Sequence, residues 1–189
     1  MRKWRWILAA ILLALPPLAW AGFKPVRILA PRLNGVICPG GPVCVDDPSR
    51  FAEASGLYEE AIAFVDSNVG RIADRPRAVF CATQDCFESF GFEKASSQTI
   101  GTFGIVVGPR GWAPHLVRHE LIHHLQHERL GNLEAWLFTP RWFIEGMAYS
   151  LSGDPRPTLS QPWEGYRERF EAWYRKVGKD RLWEAAARL

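Results

Sequence analysis

The sequence predicts an α+β fold. A short mixed sheet stands beside one helix that carries every histidine of the chain, and further helices follow toward the C-terminus. Three observations predict this. Short strand-like runs, residues 77–82 and 99–108, lie between stretches whose apolar residues recur at helical spacing. Glycine and proline mark the boundaries between them. From Pro114 onward, every periodic stretch has the helical period.

The N-terminus reads as a targeting segment. Arg2, Lys3 and Arg5 precede an apolar run, Trp6 to Leu18, which is broken by Pro16-Pro17 and followed by Ala19-Trp20-Ala21. A basic start, an apolar middle and an A-x-A ending describe a secretory signal peptide, residues 1–21, cleaved after about Ala21. The competing reading is a retained anchor, but the run is shorter than the ~20 apolar residues of a spanning helix. Residues 22–189 then form a single domain, located in the periplasm or secreted, with no stable membrane span. The chain holds 23 Lys+Arg and 20 Asp+Glu, and residues 1–21 hold three of the basic residues and none of the acidic ones. The mature chain therefore carries 20 of each and a net charge near zero, which argues against a nucleic-acid partner.

The elements follow in order. Residues 23–45 are rich in Pro and Gly, with one strand expected at Val26–Leu29 and a loop between Cys38 and Cys44. The cysteines fall in two close pairs, Cys38/Cys44 and Cys81/Cys86, and in an oxidising compartment this suggests two local disulfides. A Cys₄ zinc site is the alternative, at spacings wider than the usual C-x2-C. Asp47 and Pro48 open a helix whose apolar positions are Phe51, Ala54, Leu57, Ala61, Phe64 and Val65, and Asn68-Val69-Gly70 ends it. Residues 77–82 form a strand. Thr83 caps a brief helix over 86–90 that Gly91 closes. Residues 99–108 form a second strand, with Gly101 and Gly104 where another backbone can come close. The next helix runs from Pro114 to Gly131 at its C′ position, with Val117, Leu121 and Leu125 as its core stripe. Thr139 and Pro140 open a helix ending near Leu151, a Pro- and Ser-rich loop reaches Gln161, and residues 162–177 and 180–189 form terminal helices.

All five histidines, His115, His119, His123, His124 and His127, lie in the helix that begins at Pro114. Residues four apart share a helix face, so His119 and His123 can aim at one point, with Glu120 beside them to accept a proton. This H-E-x-x-H is the zinc-hydrolase arrangement. His115/His119 and His123/His127 have the same spacing, but only the His119/His123 pair has a Glu directly after its first member. A catalytic zinc takes three protein ligands. The metzincin spacing fails, because Gln126 stands where Gly is needed and Arg129 where the third His is needed. Downstream, Glu145 sits in an otherwise apolar stretch, where a carboxylate needs a partner that a metal can supply. Gly146, beside it, is expected to let the two helices approach.

Taken together, His119-Glu120-x-x-His123 and Trp142-x-x-Glu145-Gly146-x-Ala148 resemble the gluzincin metallopeptidases of the peptidase MA type, over about Ile100 to Leu151. The resemblance implies a small zincin-like domain holding one Zn2+ per chain, with Glu145 as third ligand and Glu120 as general base. It also implies that residues 99–107 form an edge strand that pairs with an extended peptide substrate. The implied activity is hydrolysis of peptide bonds by a zinc-activated water. A cell-wall peptide amidase and a catalytically silent zinc module for peptide binding or envelope assembly are the alternatives. Tyr149 and Tyr166 are the candidates for stabilising the oxyanion. No acidic residue stands four after Glu145 to orient a ligating histidine, so Glu134 and Asp154 are the nearby candidates. His127 is a candidate for a supporting role, whereas His115 and His124 read as a solvated or hydrogen-bonded pair.

Overall fold

The computed structural model describes residues 2–189, apart from the side chains of residues 2 and 7–12. The apolar run read as the middle of a signal peptide falls partly on those side chains, outside the described residues; the backbone there belongs to a helix, α1 (Arg2–Gly22). Five short strands make one mixed sheet: β1 (Ile37–Gly40), β2 (Val43–Val45), β3 (Arg77–Phe80), β4 (Ser97–Ile100) and β5 (Gly104–Val107), in spatial order β1-β2-β3-β5-β4. β2, β3 and β5 are parallel, and the outer strands β1 and β4 are antiparallel to their neighbours. The helices are α2 (Phe51–Asn68), α3 (Gln84–Ser89), α4 (Pro114–Leu130), α5 (Asn132–Leu137), α6 (Arg141–Leu151), α7 (Trp163–Val177) and α8 (Leu182–Ala186). The α+β class is as expected.

Strand alternation places two cores on the two faces of the sheet. Val43, Val45, Ala78, Phe80, Ile105 and Val107 face one way, against α2 and α4, and α6 and α7 pack beyond α4. The expected stripe of α4, Val117, Leu121 and Leu125, is fully buried there. On α2 the buried stripe is rotated from the one expected and includes Tyr58 and Ile62. Cys44, Val79, Cys81 and Val106 face the other way, against Ile28, Val36, Phe87 and Phe90. Both disulfides form, Cys38–Cys44 and Cys81–Cys86, and leave no cysteine for a Cys₄ site. Among the described residues, no helix is long and apolar enough to cross a membrane.

Several local expectations change. Val26–Leu29 belongs to a 3₁₀ helix, Lys24–Leu29, because Pro25 lacks the N–H a ladder needs and its φ suits a first helical turn. The Cys38–Cys44 loop is the β1–β2 hairpin. Residues 99–108 do not form one strand. The chain reverses at Gly101, whose φ is +53°, and the two halves pair antiparallel as β4 and β5. The edge strand is therefore Ser97–Ile100, and Gly104–Val107 is interior. Gly104 does admit a neighbouring backbone, since a Cβ there would collide with the Arg77 carbonyl. Gly146 admits α7 rather than α4, because its missing Cβ faces the Tyr166 carbonyl. Pro140, in extended conformation, precedes α6, and Thr139 donates its hydroxyl to the Glu134 carbonyl instead of capping.

Candidate metal centre

α4 divides its circumference between two tasks. Its apolar stripe meets the sheet and α2, and the strip facing α6 and β4 carries His119, Glu120, His123 and Gln126, all buried. The Nε2 atoms of His119 and His123 lie 3.0 Å apart, and Oε2 of Glu145 on α6 lies 3.7 Å from each. A triangle with sides 3.0, 3.7 and 3.7 Å has a circumradius of about 2.0 Å. One point is thus about as far from all three donors as zinc stands from imidazole nitrogen and carboxylate oxygen, roughly 2.0–2.2 Å. Two helices present the three donors to that point, so the His119, His123 and Glu145 group could hold a metal ion.

Two features that the sequence reading did not single out hold this geometry. Gln126 is fully buried and bridges α4 to α6: its Nε2 donates to the Ile144 carbonyl at 2.9 Å, and its Oε1 lies 2.8 Å from Nδ1 of His123. The Ile144 carbonyl can only accept, so the amide orientation is determined. Nδ1 of His123 must then carry the proton and donate it to Oε1, which leaves Nε2 as the atom that faces Glu145. The signal for Gln126 was its place three residues after His123, on the same helix face. The second feature comes from the edge strand. Ser97 Oγ donates to Oε1 of Glu120 at 2.8 Å, and Thr99 Oγ1 lies 2.6 Å from its Oε2. Two residues apart on β4, these hydroxyls share a face and close on both oxygens of one carboxylate.

Burial and mutual charge set the protonation of the group. Burial opposes a charge on Glu145, but the His123 imidazole outweighs it and holds the carboxyl down at about 2. Burial likewise opposes a charge on His123, yet Glu145 and then Glu120 more than offset it, and its pKa is raised. Burial and the neighbouring His123 both lower His119. Burial raises the carboxyl of Glu120, and His123 with the Thr99 and Ser97 hydroxyls offsets this only in part.

The remaining candidates separate by position. Tyr149, one turn after Glu145, sets its ring edge-on to His119 with centroids 4.5 Å apart. Tyr166 stands on α7 with its ring against Trp163, and no hydrogen bond or ring contact joins it to the His and Glu group among the described residues. His124 is not solvated and does not pair with His115. It is fully buried, and its Nε2 meets the Asp74 carbonyl at 2.9 Å and Glu128 at 3.2 Å. His127 is half-buried, with a pKa pushed down to about 4 by burial, and its Nδ1 has no partner among the described residues. Neither acidic candidate orients a histidine: Glu134 is exposed, and Asp154 is paired with Arg156. Comparison with known proteins gave no match, either to a family model or to a curated protein or solved structure.

Proposed function

We propose that this chain is an extracytoplasmic zinc-dependent peptidase of the gluzincin type. The observation that carries the reading is the donor triangle of His119, His123 and Glu145, with the Glu120 carboxylate beside it. Two imidazoles and one carboxylate are a donor set that suits zinc in hydrolases. Zinc bound there would supply Lewis acidity toward water and the scissile carbonyl.

The chain's own groups complete the chemistry. Glu120 would take the proton of the attacking water and return it to the leaving amine. Its oxygens have about four lone-pair sites, and the Ser97 and Thr99 hydroxyls occupy only two. Burial, which raises its carboxyl, brings its pKa closer to the neutral range in which a base works well. Gln126 would keep Nε2 of His123 turned inward. Tyr149, against His119, is better placed than Tyr166 to meet the developing oxyanion. The free side of β4 offers backbone donors and acceptors to an extended peptide. The two disulfides fit an oxidising compartment, as does the signal-like N-terminus.

One observation favours a catalytically silent zinc module instead: both oxygens of Glu120 already accept hydroxyls. Turnover separates the readings. The zinc-loaded chain is offered casein, a peptide library and peptidoglycan stem peptides. A peptidase cleaves at least one of them, and Glu120→Gln abolishes cleavage while one ion per chain remains bound. Bound zinc without cleavage of any substrate, or cleavage that survives Glu120→Gln, would overturn the peptidase reading. Cleavage confined to stem peptides would narrow it to a cell-wall amidase.

A further inference from the structure

One cation at the rim of the centre has no role in the scheme above. Beyond α6 the chain turns at Asp154, and Arg156 places its guanidinium carbon 5.7 Å from the ring centroid of Tyr149. Tyr149 in turn packs against His119. One edge of the guanidinium is fixed: Nε donates to Asp154 Oδ1 at 2.9 Å and Oδ2 at 3.1 Å, and Nη2 donates to Oδ2. The Asp154 side chain is 2% exposed, whereas that of Arg156 is 48% exposed. The Tyr149 side chain is the guanidinium's other neighbour.

The loop that carries this pair is held from two sides. The Arg156 N–H donates to Asp154 Oδ1 at 3.0 Å, which closes the turn. Arg167 on α7 donates to the carbonyls of Arg156 and Pro157, and Glu164 accepts from the Leu159 N–H. Arg118, another arginine of this region, already has partners, since it donates to Glu60 and to the Ser152 carbonyl. An arginine clamped along one edge by a buried carboxylate, yet half exposed, has little ordering entropy left to lose when a second carboxylate arrives.

We propose that Arg156, held by Asp154 beside Tyr149, binds a carboxylate of the substrate. The substrate class is then peptides with either a free C-terminal carboxylate or an acidic side chain near the scissile bond. The inference rests on the peptidase reading, and its test does not depend on turnover. Zinc-loaded Glu120→Gln protein is titrated by fluorescence anisotropy with one labelled peptide in three forms: free C-terminus, C-terminal amide, and amide with one internal Glu.

The carboxylate-bearing forms should bind more tightly than the plain amide. Arg156→Gln, added to Glu120→Gln, should remove roughly 10–100-fold of that advantage, as expected for a hydrogen bond to a charged group, and leave binding of the plain amide unchanged. Arg156→Lys should restore part of it. Whichever carboxylate form loses affinity identifies the source. Equal binding of all three forms by the parent protein, or an Arg156→Gln variant that retains zinc and keeps the preference, overturns the inference. If Arg156→Gln misfolds, the parent's preference and the Arg156→Lys protein decide. An Arg156-dependent preference without cleavage by the wild-type chain would uphold this site while removing the peptidase reading.

Discussion

The two faces of the sheet bury their residues on different terms. On the disulfide face, Cys44, Val79, Cys81 and Val106 pack with the apolar residues Ile28, Val36, Phe87 and Phe90, and the two disulfides lie within that cluster. On the helical face, an apolar layer touches the sheet, but the strip of α4 that faces α6 and β4 buries His119, Glu120, His123 and Gln126. A buried polar group costs free energy unless it is partnered. Each of these four has a partner, supplied by a different element: Glu145 and the Ile144 carbonyl from α6, and Ser97 and Thr99 from β4. Packing one face against apolar residues thus leaves the other free to hold a strip whose groups are fixed by hydrogen bonds. Substitutions on the disulfide face should change stability and spare metal binding, and those in the polar strip should do the reverse.

The largest expected effect lies on the apolar side. Phe87→Ala removes a fully buried ring and should lower unfolding stability by about 3–5 kcal/mol in chemical denaturation, with unchanged zinc affinity of the folded fraction. Second, Gln126→Ala removes the group that orients His123. It should weaken zinc roughly 10–100-fold in competition with a chelating dye, whereas the metal-free fold should lose far less than with Phe87→Ala. Third, replacing Cys81 and Cys86 together by Ser opens a loop of separation 5 and should lower stability by about 2 kcal/mol, again sparing zinc. An equal loss of zinc affinity would mean that the two faces are coupled. The smallest effect separates Glu120 from the ligands. The Thr99 hydroxyl favours the charged carboxylate, so Thr99→Val should raise the Glu120 pKa further. The acid limb of the pH profile of kcat/KM should then move to higher pH while zinc affinity holds. An unmoved limb would separate Thr99 from the base.

Legibility in the sequence followed the range of each interaction. The i, i+4 histidines and the adjacent Glu120 are local on one helix, so spacing alone brought them together. Glu145 was legible from its apolar context and from the gluzincin-like motif around it. Gln126 was passed over because it was read only as a residue out of place in the metzincin pattern, although its i+3 relation to His123 was visible. Ser97 and Thr99 were not legible, because their partner depends on which strand forms the sheet edge. Reading residues 99–108 as one strand hid the Gly101 reversal and moved that edge inward. Gly146 was rightly read as a close approach but assigned to the wrong helix, since sequence does not say which neighbour α6 meets. Arg156 depends on a side-chain turn at Asp154 and on clamps from α7, which no local pattern announces.

The central claim is that one metal ion sits between His119, His123 and Glu145. A crystal structure of the zinc-loaded chain, with anomalous data at the zinc edge, tests it directly. The donor triangle predicts one strong peak per chain, with Nε2 of His119, Nε2 of His123 and a carboxylate oxygen of Glu145 each about 2.0–2.2 Å from it. A peak between His115 and His119, a peak between His123 and His127, or a Glu145 side chain turned away from the ion would contradict it.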